Sequence, residues 1–559
     1  MLVTNCNNQV IKTFKANKVF RQVLNFGFGI SILGAGLAFQ NVWANPPKTP
    51  TGLAVIGLSQ EPTVLHPLLS AIEVDHGVWW NLYDPLWAVD AEGNFFPKLA
   101  EEVPTVENGG ISADGLTWHI KLRKDVVWHD GEPFTAHDVA YTLNLIKQPN
   151  FNTRTRQGHE LIESIEVIND YEIKWTMKEV YAPYISQLSS TFIVPKHVLE
   201  KDADPNASSM SQKPIGTGPF KFDRRVSGDR IVLVANDKYY GEGPYLERLE
   251  FKYIPDMNGL YTQFRTGQID VVGIQGVPHN FYDEIKNSKT VDVKLVPLAS
   301  MEVVAVNHGH PILQDKAVRQ ALYHGMNRDA IVNLIYYGIP EKTESFLPKT
   351  SWAYAKDLPA QVYDLNKANQ ILEEAGWKKG QGGIREKDGR RLAFTISTTS
   401  GNELRAQTQQ LIQQDWKNIG VELNINNMPA AVMWGDNWTK SKFESALVGV
   451  NLITGNDPDA MHRFGSKSIP AQGGAGSNVF QYKNPQADEL LVKGRQTFNL
   501  EERKEIYRQL QHVLRDDLAL LPLYQMVRVE GHKKGLSGFE PNVNVLSNAW
   551  NANTWYWNK

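Results

Sequence analysis

Fourteen histidines and 61 acidic residues supply the material for acid–base or metal chemistry in this chain of 559 residues, yet few of them are spaced for it. His308-Gly309-His310 sets two imidazoles two residues apart, a spacing that serves a metal only on a regular strand with a carboxylate close by. Neither flanking residue is acidic, so the pair reads as packed or solvated histidine. Glu373-Glu374 has the composition of a glycosidase acid pair, but Lys378 and Lys379 follow it on what reads as a solvated helix face. His129 and His137 stand beside a turn and a helix cap, where histidine is structural far more often than catalytic. The chain contains no His-Glu-x-x-His, no Gly-x-x-x-x-Gly-Lys-Ser/Thr and no Gly-x-Ser-x-Gly. No catalytic residue, metal site or cofactor is expected. The chain reads as carrying no enzyme signature, and a cleft hydrolase is kept as a formal alternative.

A chain of this size needs more than one lobe, because a single core stops growing well below 559 residues. The first 44 residues stand apart. They carry Lys12, Lys15, Lys18 and Arg21 and no acid, then an uncharged run from Phe26 to Phe39, then Val42-Trp43-Ala44. This is the pattern of a secretory signal peptide cleaved after Ala44, with an apolar run too short for a membrane span. Loss of those four basic residues leaves 54 Lys and Arg against 61 acids, a balance of −7, which gives no footprint for nucleic acid or anionic lipid. Cys6, the single cysteine, leaves with the leader. The mature chain is therefore expected to have no disulfide, no thiolate metal site and no lipid-bearing cysteine.

The elements that would position a site follow from periodicity. Thr51 to Leu58 reads as a strand. Pro214 to Tyr240 reads as a hairpin: Gly216, Gly218 and Pro219 punctuate its start, Phe220 and Phe222 alternate with polar residues, and Ser227-Gly228-Asp229 turns into the apolar run Ile231 to Ala235. A strand at Leu392–Ser397, a helix from Asn402 to Ile419 and a strand at Val421–Asn426 form a β-α-β unit. Thr135 and Asp138 read as the cap of one helix, and Asp364 as the cap of another.

Several collinear segments resemble the bacterial extracellular solute-binding proteins of family 5, which serve peptide and nickel ABC transporters. They are Glu61-Pro62, Tyr83-Asp84-Pro85-Leu86-Trp87, Asp114 to Arg123, Trp128 to Val139, Gly216-Thr217-Gly218-Pro219-Phe220 with Asn236-Asp237-Lys238-Tyr239-Tyr240, and Asp315 to Leu322. The matches run from about Val55 to Leu523. The resemblance implies an α/β, two-lobed periplasmic-binding-protein fold, hinged, with an extra lobe inserted in the first domain. Its implied limits are a signal peptide at 1–44, lobe I from 45–93, 214–302 and 525–559, the inserted lobe at 94–213, and lobe II at 303–524. The hinge is expected at Val303–Asn307 and near Pro522. The implied function is that of a periplasmic, monomeric substrate-binding component of an ABC importer. It would take a peptide or peptide-like ligand and deliver it to permease subunits in the inner membrane, with no nucleic-acid partner. A receptor of the same fold for an oligosaccharide, opine or metal chelate is the alternative.

The resemblance also points to ligand-binding residues. Ser59, Gln60 and Glu61 lead one edge of the cleft, and the loop Gly449 to Asp459 supplies Asn451, Thr454, Asn456 and Asp457 from the other lobe. Dipeptide-binding members carry an amine-pairing acid where this chain has Thr454, and threonine cannot neutralise an ammonium group in a closed cleft. Asp457 or Glu61 would then substitute, or the ligand would lack a free amine and stack on Trp434, Trp438 or Trp550. Trp550, Trp555 and Trp557 sit in an Asn-rich tail and look less core-like than the other tryptophans.

Overall fold

The computed structural model describes residues 45–69, 73–451, 456–545 and 547–558. The leader read at Met1–Ala44 and Thr454 lie outside them. The main sheet is built from β1 (Leu53–Leu58), β2 (Phe220–Val226), β3 (Arg230–Ala235), β4 (Arg248–Tyr253), β5 (Val271–Val272), β6 (Val291–Val306), β7 (Ala393–Ser397), β8 (Glu422–Ile425), β9 (Ser445–Asn451) and β10 (Leu521–Lys533). Their spatial order is β8-β7-β9-β6-β10-β5-β1-β4-β3-β2, and the short strand Glu341–Lys342 beside β10 completes eleven. The principal helices are α1 (Glu73–Leu82), α2 (Ala136–Lys147), α3 (Met257–Arg265), α4 (Lys316–His324), α5 (Leu365–Glu374), α6 (Glu403–Lys417), α7 (Pro485–Gln496) and α8 (Leu500–Asp517). Asp256, Asp315, Asp364, Asn402, Asn484 and Asn499 cap the last six, each side chain accepting a backbone N–H that the helix leaves unpaired. At α2 the Asp138 carboxylate accepts the Thr135 N–H at 2.9 Å.

Two halves share this sheet. In the first, Ala54, Ile56, Trp79, Phe220, Ile231 and Leu249 bury one face, and Leu260, Phe264 and Val272 the other. In the second, Leu322, Phe394, Ile412 and Trp416 lie on one side, and Val448, Phe464, Leu491 and Leu510 on the other. The parallel pair β7 and β8 with α6 between them is the expected β-α-β unit. The long strands β6 and β10 run through both halves: β10 meets β5 at Val271–His532, and β6 meets β9 over Ser300–Val306. Their pairing breaks register between Pro297 and Met301, opposite Val527 and Gln525, and again between Glu302 and Val303, opposite Tyr524 and Pro522. The hinge expected at Val303–Asn307 and near Pro522 adjoins the second of these breaks. Val303, Val304, Ala305 and Val306 are buried and paired to β9 in the second half.

A further core forms around the three-stranded sheet of Thr117–Lys121, Ile162–Asn169 and Glu172–Met177, with Trp118, Trp175, Phe134 and Val139. It also draws in Leu86 and Trp87, which precede the boundary read at residue 94. The chain returns from it at the hairpin β2–β3, on the edge of the main sheet. His129 holds this return. Its Nδ1 accepts the Gly216 N–H at 3.1 Å and its Nε2 lies 3.0 Å from the Gly218 carbonyl oxygen. The backbone here presses on the end of α1, so that a Cβ at Gly216 would lie 1.8 Å from the Leu82 oxygen. Gly216→Ala is expected to destabilise the protein by about 3 kcal/mol. A urea midpoint equal to that of the wild type would show that the α1 end can yield.

The motif residues converge on one buried polar cluster. Asp84 takes Lys98 at 3.3 Å and Thr217 at 3.2 Å, and Lys98 donates to the Tyr239 hydroxyl at 3.0 Å. Four segments far apart in sequence are thereby tied together, and their work is structural.

Candidate functional site

Between the two halves lie three adjoining cavities of about 1130, 240 and 640 Å³. The outer and central ones share Val543 and Asn544, and the central and hinge-side ones share Ala299, Asn451, Val543 and Val545. Asn544 is pinned by its amide donating to the Asp90 carbonyl at 2.9 Å.

The hinge-side cavity rests on β6 and β10, where the two strands break register. Glu302, on β6, is buried and forked by Arg405, with Nε–Oε1 at 2.6 Å and Nη2–Oε2 at 3.0 Å. Arg405 is in the first turn of α6, and its N–H is capped by Asn402 at 3.1 Å. Burial disfavours the guanidinium charge, but the Glu302 carboxylate reverses this and holds Arg405 above its ordinary pKa. Gly449 faces Glu302 across β6 and β9, and a Cβ there would lie 3.3 Å from Arg405 Nη2, so glycine leaves room for the pair.

In the outer cavity Asp457 is buried and gripped by Arg503, with Oδ2–Nη1 at 2.8 Å and Oδ1–Nη2 at 3.1 Å. Arg503 also donates Nε to the Gly494 carbonyl at 2.9 Å and lies over the Trp352 ring at 5.2 Å. Burial works against its charge, and the Asp457 carboxylate overcomes it to keep Arg503 protonated. Asp459 is likewise buried, 3.1 Å from Arg495 and accepting the Tyr181 hydroxyl at 3.0 Å. Asn456 spans the cleft: its amide donates to the Gly93 carbonyl at 2.6 Å, its Oδ1 accepts the Ser186 hydroxyl at 2.9 Å, and its own carbonyl accepts Trp352 Nε1 at 2.9 Å. These contacts join residues 93–186 to 456–459 and hold the cleft shut on this side.

The central cavity has a different character. Arg154 enters it from the loop after α2, along with His76, Trp80, Gln157, Gln187 and Ser189. Its Nη2 donates to the Ser190 carbonyl, and among the described residues no carboxylate oxygen lies within 4 Å of its guanidinium. Burial lowers Arg154 to about 10, and burial together with the Arg154 charge lowers His76 and His159 to about 3, so both imidazoles are neutral.

A sheet shared by two halves, with a cleft at the register break, fits what the comparisons return. Residues 94–472 match the family described as bacterial extracellular solute-binding proteins, family 5 (middle). The oligopeptide-binding protein AppA of Bacillus subtilis is 31% identical over 504 residues, covering 88% of this chain and 89% of that protein.

The chain belongs to the bacterial extracellular solute-binding proteins of family 5.

Its fold is that of solved members. AppA from Bacillus subtilis in complex with a nonapeptide superposes with a TM-score of 0.76 at 28% identity, over 92% of this chain and all of that one. NikZ from Campylobacter jejuni with Ni(L-His) gives 0.77 at 29% identity, over 90% and 99%.

Within this family-5 protein the residues expected from sequence scatter. Asn451, at the end of β9, lines the central and hinge-side cavities, and Asn456 and Asp457 line the outer one. Asp457 is committed to Arg503, so it is not an open anchor for an amine. Glu61 is also taken: its carboxylate accepts the Gly228 N–H at 3.2 Å and pairs with Arg225 at 3.4 Å, which moors the hairpin turn to the segment after β1. Gln60 is exposed, and the Ser59 N–H donates to Gln275 Oε1 at 3.5 Å. Trp434 stands edge-on to Trp438 at 5.4 Å, away from the three cavities, while Trp438 stacks on Phe443 at 4.9 Å as part of a core. Trp550 donates to the Glu540 carbonyl at 2.8 Å and packs near Phe96. Trp555 is fully buried and Trp557 donates to the Leu53 carbonyl at 2.8 Å, so both fasten the chain end to β1 and its core.

The histidine pair separates as well. His308 Nε2 lies 3.1 Å from the Ala519 carbonyl oxygen, and His310 meets Glu444 at 3.6 Å, an acid 134 residues away that no local spacing could reveal. Arg154, Trp352 and Arg405 were not singled out from sequence. One signal was available for Arg154: Lys147 to His159 contains two arginines and no acid.

Proposed function

We propose that this protein is the ligand-capturing component of an ABC importer, taking up peptides or peptide-like compounds outside the cytoplasmic membrane and handing them to a permease. The observation that carries the reading is the cleft at the register break of β6 and β10, in a chain of family 5. AppA, similar over most of its length, is known with a nonapeptide. Cavities of this size with few polar anchors suit a flexible ligand bound through its backbone. The leader pattern at Met1–Ala44 supports export to the periplasm and cleavage after Ala44. Among the described residues no helix is long and apolar enough to cross a membrane. Binding without turnover is supported by the state of the buried acids in the cleft: Glu302, Asp457 and Asp459 are each engaged by an arginine and are poor general acids or bases.

A native-mass or thermal-shift screen of di-, tri- and oligopeptides against opines, oligosaccharides and nickel–histidine tests the ligand class. A shift with peptides is expected, and silence from every peptide would defeat that part of the reading. Scattering tests closure. The radius of gyration is expected to fall when a bound peptide is added, with the bend at Pro297–Met301 and Gln525–Val527; an unchanged radius would argue against a hinge.

A carboxylate-bearing metal chelate is the second reading. It is favoured by His76, a neutral imidazole in the central cavity.

A further inference from the structure

The two sides of the cleft also meet directly, at a point outside the three cavities. Tyr181, from the core around the three-stranded sheet, donates its hydroxyl to Asp459 Oδ2 of the second half at 3.0 Å, and both side chains are buried. Gln157 joins them: its amide donates to the Tyr181 hydroxyl at 2.9 Å and to Asp459 Oδ2 at 3.4 Å. The Arg495 guanidinium lies over the Tyr181 ring at 4.6 Å, and the Ala182 N–H donates to the Arg495 carbonyl at 2.7 Å. Gly158 leaves room for the ring, since a Cβ there would lie 2.7 Å from Tyr181 Cε1. Neither Tyr181 nor Asp459 lines the outer, central or hinge-side cavity, whereas Gln157 lines the central one.

The charges at this contact are divided as a joint that opens and closes requires. Asp459 is paired within its own half, to Arg495 of α7 at 3.1 Å, and its Oδ1 accepts the Met461 N–H at 3.1 Å. The Asp459 N–H is held in turn by Asp457, which Arg503 grips. Parting the two sides therefore separates no ion pair. It breaks two hydrogen bonds to a charged acceptor, leaves the Asp459 charge still neutralised and lets the phenol meet water. Closing regains those bonds and strands nothing.

We propose that Tyr181, seated against Asp459 and Arg495, is a latch for the closed cleft. It sets the balance between open and closed protein, and so scales the affinity for every ligand by one common factor without taking part in ligand choice. The proposal rests on the reading of this protein as a receptor that closes about a hinge. Tyr181 is a positioning residue in this scheme, and Gln157 sets it beside the central cavity.

The first test needs no known ligand. Cys6 is the single cysteine of the chain, so mature protein carrying Glu107→Cys and Glu502→Cys accepts one pair of dyes, at exposed residues that line the outer cavity from its two sides. Energy transfer in the ligand-free protein is expected to report a closed-to-open ratio that falls about 10-fold in Tyr181→Phe, the worth of one hydrogen bond to a charged group. Unchanged transfer would overturn the proposal. Calorimetry with Ala-Ala-Ala and its C-terminal amide then separates a latch from a ligand contact. Tyr181→Phe should weaken both by the same factor, and a change in their ratio would overturn the proposal. If neither peptide binds the wild type, the peptide assignment fails, while the energy transfer still decides the latch. Tyr181→Phe keeps the ring and its packing, so its urea midpoint should match that of the wild type. A lowered midpoint with unchanged transfer would make Tyr181 an ordinary core contact and end the proposal.

Discussion

Replacing Asp457 with alanine lowers the stability of the ligand-free protein by about 3 to 5 kcal/mol, because it strands a buried guanidinium. Arg503 keeps its Nε bond to the Gly494 carbonyl and its place over the Trp352 and Tyr507 rings, none of which neutralises charge. Were Asp457 an open ligand anchor, the opposite would hold: binding would vanish and the empty protein would melt as before. The two cases separate cleanly in a urea titration of the ligand-free protein. A midpoint equal to that of the wild type would return Asp457 to the ligand site. The double variant Asp457→Leu/Arg503→Met is expected to recover most of the loss, since apolar residues of similar volume can replace a buried pair. Failure to recover would point to the backbone of the Asn456–Asp459 turn, where Asp457 also accepts the Asp459 N–H at 2.9 Å.

Acid should unfold this protein through its histidines before most of its carboxylates titrate. Burial lowers His66, His129 and His462 to about 4, and burial aided by nearby arginines lowers His76, His159 and His308 to about 3. The unfolded chain takes up these protons near pH 6.5 while the folded chain does not. Stability is therefore greatest above the unfolded value and falls as pH drops from 6.5 toward 4, at about 1.4 kcal/mol per pH unit for each such group. Asp138 and Asp415, raised by burial, pull the other way, but only in the range where carboxylates titrate. The urea midpoint is expected to decline steeply across this window. His159→Gln, which keeps a polar group beside Tyr184 and Thr191, should make the decline shallower by one proton's worth. A midpoint that stays level from pH 6.5 to pH 4 would mean that these rings are open to water or already charged.

The elements were legible because they depend on local rules. The hairpin's alternation and its Gly228 turn, the cap at Asp364, and the β-α-β unit around α6 all follow from spacing and residue type. The motif order was also sufficient for the family, since Tyr83–Trp87, Thr217 and Tyr239 build the Asp84 cluster that ties the scaffold together. Which polar residues remain free was not legible. Asp457 and Glu61 have the right chemistry for an anchor, but Arg503 and Arg225 reach them from 46 and 164 residues away. The tail tryptophans look less core-like by composition, yet the turn at Ala552–Thr554 folds Trp555 into the core.

Sequence by itself determined the strands, the caps and the scaffold, because each depends on neighbours a few residues apart or on motifs that recur in order. Tertiary structure decided the site. A charge becomes a binding group only when no partner satisfies it, and that balance is struck between segments hundreds of residues apart. It closes Asp457 with Arg503 and Glu61 with Arg225.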